Sequence, residues 1–445
     1  MTDAMKCSVK TGSRQNICEG TGKTVNREKT DGKREKLHIL QVHNYYTIPG
    51  GEDQVVKSEG ELLREHGHKV WLYERKNKEL SRMSGRKKLC LPFTTVFSLK
   101  TYREVKRLIR EQKIDLVHVH NTLPLISPSV FYAAFASGVP AVMSVHNFRL
   151  LCPGALFYRE GRICEECVEK GLYRSIKYGC YRGSRLQTLL CAASIKLHRM
   201  AGTYQRIYFI CLTEFNKKKL LRLKGICPER IFVKANFAEA GGETVFPKQR
   251  EDYFFYGGRL EEEKGIKVLM KAFLGLEDEK LVICGEGSLT DWCGDYTKKH
   301  AMKNVTLKGA VSGEEVKKLM SRAKGVIIPS LWYEGFPMIM AEAYSVRTPV
   351  IGSDVGNVGQ LIKEHGGGWT FETGNAEALA EAVKICNREQ ESIPVTEGGM
   401  SKGDWSKEGN YKRLIQIYRR CIADVRKAQK KRAAGNEIKN VADEF

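Results

Sequence analysis

The sequence predicts an α/β protein made of two doubly wound, parallel-sheet domains, and three observations carry that expectation. Short apolar runs alternate with longer amphipathic segments from Lys36 nearly to the C terminus, the pattern of parallel strands covered on both faces by helices. The alternation comes in two series, separated near residues 236–251 by a stretch containing Gly241-Gly242. The chain is 445 residues long and 42% hydrophobic, enough for two cores when a domain takes ~100–200 residues.

Residues 1–35 are polar and rich in Gly and Lys, and read as a disordered basic extension. Gly22-Lys23-Thr24 resembles the end of a phosphate-binding Walker loop. Ile17 stands where that loop needs glycine, however, and no apolar strand precedes it. The first domain is placed at 36–240. LHILQVH is a strand, 52–66 a helix and HKVWLYE a second strand, followed by helix 102–112, strand DLVHVH, a helix near Val130 and strand AVMSVH. A Cys-rich insertion at 148–183 interrupts the series before helix 185–200, strand RIYFICLT and helix 214–224. The second domain, 250–403, contributes strands YFFYGG, KLVICG, VTLKG, GVIIPS, TPVIGS and GGWTF with helical segments between most of them. Residues 404–430 form a last helix, expected to pack back toward the first domain, and 431–445 a polar tail.

The net charge is +22 and the pI about 9.3. Such an excess favours an anionic partner: a phosphate ligand, nucleic acid or an acidic membrane surface. No aromatic–basic stacking surface or nucleic-acid-binding module is legible, so nucleic acid is not expected. MTDAMKCSVKTG holds no apolar run of secretory type, which reads as a cytosolic chain with reduced thiols. The uncharged stretch from Asn121 to Phe148 is divided by Pro124, Pro128 and Pro140, leaving pieces short of the ~20 residues a membrane span needs.

Chemistry concentrates in PSLWYEGFPMIMAEAYSVRTPVIGSDVGNVG, where Glu334 sits in a turn beside Gly335 and Pro337 opens a helix carrying Glu342. On one continuous helix those carboxylates would be roughly 12 Å apart. That is too far to share a proton but suited to gripping two ends of a polyhydroxylated ligand through charge-assisted hydrogen bonds. In GGRLEEEKGIKVLMKAF, Arg259 follows a Gly-Gly turn at a strand end and Lys264 precedes a helix. Cations there can neutralise a diphosphate that glycines let the backbone approach. In the first domain, LHILQVH leads through Ile48-Pro49-Gly50-Gly51 into a helix, whose N terminus offers free N–H groups to phosphate.

Together these segments resemble glycosyltransferase family 4 over roughly residues 36–425. GRLEEEKGIKVL, CGEG, IIPSLWYEGFPMIMAEA and TPVIGSDVGN match its C-terminal domain, and HNYYTIPGGEDQVV and SVHNFRLLCPG its N-terminal domain. The resemblance implies the GT-B fold, two Rossmann-like domains facing a cleft, and a retaining transfer from a UDP- or GDP-sugar to a glycan or lipid-linked acceptor. It places Glu334 on the donor-sugar hydroxyls, Glu342 on the ribose, Arg259 and Lys264 on the diphosphate and His146 near the transferred carbon. Gly50, Gly51, Gly258, Gly285, Gly335, Phe336 and Pro337 complete the donor site. No two aspartates lie two positions apart, so the metal-gripping Asp-x-Asp of other glycosyltransferases is missing and no catalytic cofactor is expected.

Cys152, Cys164, Cys167 and Cys180 include a C-x-x-C pair and suit tetrahedral zinc as a structural site. Basic runs at Arg86-Lys87-Lys88, EFNKKKLLRLK and RKAQKKR suit peripheral attachment to the anionic inner face of the cell membrane. Competing readings are a GT-B phosphorylase or sugar-nucleotide epimerase, a basic nucleic-acid-binding protein, and a catalytically silent sugar-binding homologue.

Overall fold

The computed structural model describes residues 36–47, 50–238, 250–389 and 405–442. The 1–35 extension with Gly22-Lys23-Thr24, the pair Ile48-Pro49 and the Gly241-Gly242 stretch lie outside the described residues.

The first sheet contains β1 (His38–Tyr45), β2 (Lys69–Lys76), β3 (Leu116–Asn121) and β4 (Ala141–Val145). A small hairpin, β5 (Tyr158–Arg159) and β6 (Arg162–Ile163), precedes β7 (Tyr208–Cys211) and β8 (Ile231–Val233), which rejoin the sheet. The order is β2-β1-β3-β4-β7-β8, and each neighbouring pair is parallel. The second sheet comprises β9 (Phe254–Gly257), β10 (Leu281–Cys284), β11 (Val305–Gly309), β12 (Gly325–Ile328), β13 (Val350–Ser353) and β14 (Gly368–Phe371). It is also parallel, in the order β11-β10-β9-β12-β13-β14. Strands β3, β12 and β13 are buried along their whole length; GVII of β12 accordingly runs apolar without alternation, whereas β3 carries His118 and His120 inside. All six strands expected in the second domain are present. In the first, β8 escapes the sequence reading because it is three residues long inside basic RIFVKAN. Helix Gly85–Val96 escapes it because Pro92 lies within it.

The last helix, Lys407–Ala442, crosses back onto the first sheet and runs beyond the expected 404–430. Its extra turns, KRAAGNEIKNVA, contain Ala, Lys and Glu, which favour helix. Tyr411, Leu414, Ile415, Tyr418, Cys421 and Ile422 recur at helical spacing and form one buried cluster with Ile39, Leu62, Leu116, Val142, Tyr208 and Ile210. Charged groups lie beneath this seam. Lys234 Nζ is 2.6 Å from Glu59 Oε1 and 2.9 Å from Asn410 Oδ1, with both charged side chains at 1% exposure or less. Tyr418 Oη and His118 Nδ1 are 2.6 Å apart. The second carboxylate oxygen, Glu59 Oε2, has no hydrogen-bond partner among the described residues; His118 Nδ1 and His120 Nε2 stand 3.7 and 3.8 Å from it.

Candidate active site

The cleft site is built from loops that follow the carboxyl ends of parallel strands, where doubly wound sheets place their ligands. After β9, Gly258 is reached by the backbone of the next loop. A Cβ on Gly285 would stand 1.9 Å from the Gly258 carbonyl oxygen, and Gly285 itself has φ +134°, so a side chain is excluded on two grounds. Tyr256 donates its hydroxyl to the Arg259 carbonyl at 2.8 Å. The Arg259 guanidinium is half exposed and stands 3.7 Å from Glu263. Next comes the short turn Glu262–Lys264. Gly265 closes it with φ +74° against Pro329, whose carbonyl oxygen would lie 1.8 Å from a Cβ. Leu331 donates its N–H to the Glu263 carbonyl at 2.8 Å. This packing clamps the lysine turn to the Pro329–Gly335 loop.

The clamp brings Lys264 and Glu334 together. Glu334 Oε1 accepts from Lys264 Nζ at 2.8 Å, Ser330 Oγ at 2.7 Å and Trp332 Nε1 at 3.0 Å. Burial alone would raise the Glu334 pKa; the Lys264 ammonium and the other two donors outweigh it and hold the carboxylate below its ordinary range. Glu342 lies on helix Met338–Ser345, capped by Pro337. There burial is the larger effect, only partly offset by Lys317, and its pKa is raised. The two glutamates thus occupy different environments: Glu334 is held by three donors, whereas Glu342 is partly buried with Lys317 as its partial offset. Phe336 is buried, its ring 5.0 Å from that of Trp405.

The first domain meets this site directly. A Cβ on Gly335 would stand 2.1 Å from the His146 carbonyl oxygen, and one on Gly51 would stand 3.5 Å from Met338 Cγ. Asn357 Nδ2 donates to the Glu334 carbonyl at 2.5 Å and to Asn216 Oδ1 at 2.8 Å. Thr213 Oγ1 donates to Asn357 Oδ1 at 2.6 Å, and Asn216 Nδ2 donates to the Gly335 carbonyl at 2.6 Å. His146 follows β4, its Nε2 3.0 Å from His120 Nδ1. Burial, reinforced by neighbouring histidines and Lys234, holds both rings well below the ordinary histidine pKa, hence neutral. His120 Nε2 in turn stands 3.8 Å from Glu59 Oε2.

Sequence profiles match both domains. The one described as Glycosyltransferase Family 4 covers residues 49–239, and the one described as Glycosyl transferases group 1 covers 243–392. The chain belongs to glycosyltransferase family 4. It is 26% identical over 281 residues to an uncharacterised glycosyltransferase of Methanocaldococcus jannaschii, covering 61% of this chain and 65% of that one, just under two thirds of the relative's length. It is 23% identical to the phosphatidyl-myo-inositol mannosyltransferase of Mycolicibacterium smegmatis, over 76% and 81% of the two chains. The structure of Anabaena HepE in complex with UDP superposes with a TM-score of 0.55 at 13% identity, over 90% of this chain and 100% of that one. The fold is GT-B.

Within this family 4 chain the structure therefore joins Lys264 to Glu334 and sets Gly335 against His146 and Gly51 near Met338. Gly50 caps the first helix, Gly51–Glu65, and its N–H donates to Asp53 Oδ2 at 2.9 Å. The sequence reading missed His120, Glu59, Asn216 and Asn357. The first had a signal: alternation in LVHVHN puts His118 and His120 on the same face of a buried strand. It also missed Glu52 beside Gly51, a carboxyl pushed up to about 8 by burial, with the Tyr46 hydroxyl and Arg149 acting in the opposite direction.

Proposed function

We propose that this chain moves a sugar from a UDP- or GDP-linked donor to a hydroxyl of a glycan or lipid-linked acceptor, in cell-surface polysaccharide biosynthesis. The observation that carries the reading is the Lys264–Glu334 contact at the strand ends of the second sheet, facing His146 across Gly335. UDP in the HepE complex and the lipid headgroup in the mannosyltransferase's name favour these donor and acceptor classes.

Breaking a sugar–phosphate bond leaves the sugar cation-like and adds negative charge to the departing diphosphate. Groups that bind that charge more strongly in the transition state accelerate transfer. Arg259, Lys264 and the glycine backbone supply them without a divalent cation. A neutral His146 can hydrogen-bond the sugar without repelling its developing positive charge. Attack from the face the diphosphate leaves, with a phosphate oxygen taking the acceptor proton, would retain configuration. Screening nucleotide sugars for saturable thermal stabilisation tests the donor, since a ligand of the folded state raises its melting temperature. Transfer assays of Glu334→Ala test the site. Loss of turnover with an unchanged fold is expected, and full turnover would remove Glu334 from the mechanism. Loss of transfer in a chelator that leaves the fold intact would overturn the metal-free step.

The same reading puts the enzyme on the inner face of the membrane. No described helix is long and apolar enough to cross one. The touching helices Gly85–Val96 and Arg185–Met200, however, expose Leu89 and Phe93 (78% each), Leu186 (67%) and Met200 (73%). Arg86-Lys87-Lys88, Arg185 and Lys196 lie on these same helices. Exposed apolar side chains on helices whose sequences also carry cations suit an anionic interface. Flotation with anionic but not neutral liposomes is expected, and should be lost in Phe93→Glu/Met200→Glu; equal flotation with both lipids would count against attachment.

A further inference from the structure

We propose that Cys152, Cys164, Cys167 and Cys180 hold a zinc ion that fixes the Cys-rich insertion against the donor loop. The insertion has almost no regular structure of its own: a hairpin of two-residue strands and helices of four and six residues, Glu166–Glu169 and Tyr173–Tyr178. Phe148, Leu150, Leu151 and Phe157 anchor its start in the first core, but between residues 158 and 183 Cys167 is the one buried hydrophobic side chain, too little apolar surface to fix that stretch by itself.

The chain nevertheless brings the four cysteines together. The Cys152 and Cys167 side chains lie close together, and Cys180 is near Cys152, Cys164 and Cys167. Gly154 packs on Cys180 so closely that a Cβ would stand 3.0 Å from its carbonyl oxygen. Four thiolates and Zn²⁺ carry a net −2, and cations flank the cluster: Arg159 lies near Cys164 and Arg199 near Cys167. No three of the thiols yet lie within 4.8 Å of one another, so ligation would draw Cys164 inward from Arg159.

Glu59, His118 and His120 do meet that distance criterion. Lys234, 2.6 Å from the Glu59 carboxylate, already balances its charge inside the core, and a divalent ion there would leave excess buried positive charge.

The C-x-x-C turn carries its own link to the donor loop. Glu165, between Cys164 and Cys167, is held by Lys219 and Arg222 and accepts the Tyr333 hydroxyl at 3.1 Å. The Tyr333 ring packs edge-on against Phe148, Phe157 and Phe215, and the next residue is Glu334. Zinc would thus set the height of Glu165, and Glu165 the seat of the donor loop. This consequence rests on the glycosyltransferase reading; the metal site does not.

The test is elemental analysis of the full-length protein purified without chelator, with a mercurial titration of the thiols read by a zinc-sensitive dye. The expected result is near one zinc per chain, released as the cluster thiols react and absent from Cys164→Ser/Cys167→Ser. Cys191→Ser, a buried neighbour outside the set, should keep its zinc. If the double variant does not fold, zinc release from the wild type still decides. Four reactive thiols with zinc far below one per chain, or a disulfide between any two of the four, would overturn the site. Glu165→Gln separates the two parts: it should keep its zinc while transfer falls, and full transfer with zinc retained would sink the link to the donor loop alone.

Discussion

Replacing Lys264 by alanine removes the cation that makes Glu334 an anion. In the wild type the ammonium lies 2.8 Å from Oε1, with the two side chains 22% and 9% exposed. Breaking a fully buried pair costs ~3–5 kcal/mol; with Lys264 partly in water, about 2–3 kcal/mol of stability is the expected loss. Turnover should fall about 10²–10³-fold, the usual effect of deleting one preplaced group that meets developing charge. The pH dependence is the more discriminating readout. With its pKa held below 4.5, wild-type Glu334 stabilises the fold above that value and loses the contribution as pH falls through its lower folded pKa. Without Lys264, burial dominates and the folded pKa lies above 4.5. The folded state then binds a proton that the unfolded state has released, so stability rises as pH drops from neutral toward 4.5. Melting temperatures and initial rates across that range, beside Lys267→Ala as an exposed-lysine control, measure both effects. Turnover within twofold of wild type, or a melting profile parallel to it, would refute this account of Glu334.

Gly335→Ala should separate the domains, because a Cβ 2.1 Å from the His146 carbonyl meets rigid backbone; an increased radius of gyration with loss of transfer is expected in X-ray scattering and assay. His120→Phe, which removes the hydrogen bond to His146, should lower kcat more than it alters donor KM, with partial rescue by His120→Asn. His118 is fully buried and its pKa is lowered to about 4 from 6.5, by burial above all. The unfolded state therefore binds a proton first, and stability should drop by about 3 kcal/mol between pH 6.5 and 4, less steeply in His118→Asn. Lys234→Ala, leaving Glu59 charged and unpaired in the core, should cost ~3–5 kcal/mol, whereas Lys234→Ala/Glu59→Leu should cost less by chemical denaturation.

Strand positions were legible because strands buried on both faces are written as short, mostly apolar runs: LVIC and GVII are unbroken, and ILQV and LVHV each hold a single polar residue. Lys264 and Glu334 were legible as chemistry because a cation after a Gly-Gly turn and a glutamate before Gly-Phe-Pro have few structural reasons to be there. Their direct contact was not legible, since it depends on Gly265 seating against Pro329. Asn216 and Asn357 were invisible for a similar reason. Each is an ordinary polar residue near the start of a helix until the two domains meet and their amides bridge. Glu59 and Lys234 carry no signal of their own in a sequence so rich in charge. Only the last helix, arriving from more than 170 residues further along, turns them into an interior pair.

That helix also has a bearing on how the protein is made. The apolar face of the first sheet, with Ile39, Leu116, Val142 and Ile210, stays uncovered until Tyr411 to Ile422 leave the ribosome. At ~5–20 residues per second, the early half of the nascent polypeptide waits many seconds with a sticky flank. Chaperone capture during synthesis, and insolubility of products cut short before residue 411, follow from where the chain ends its path.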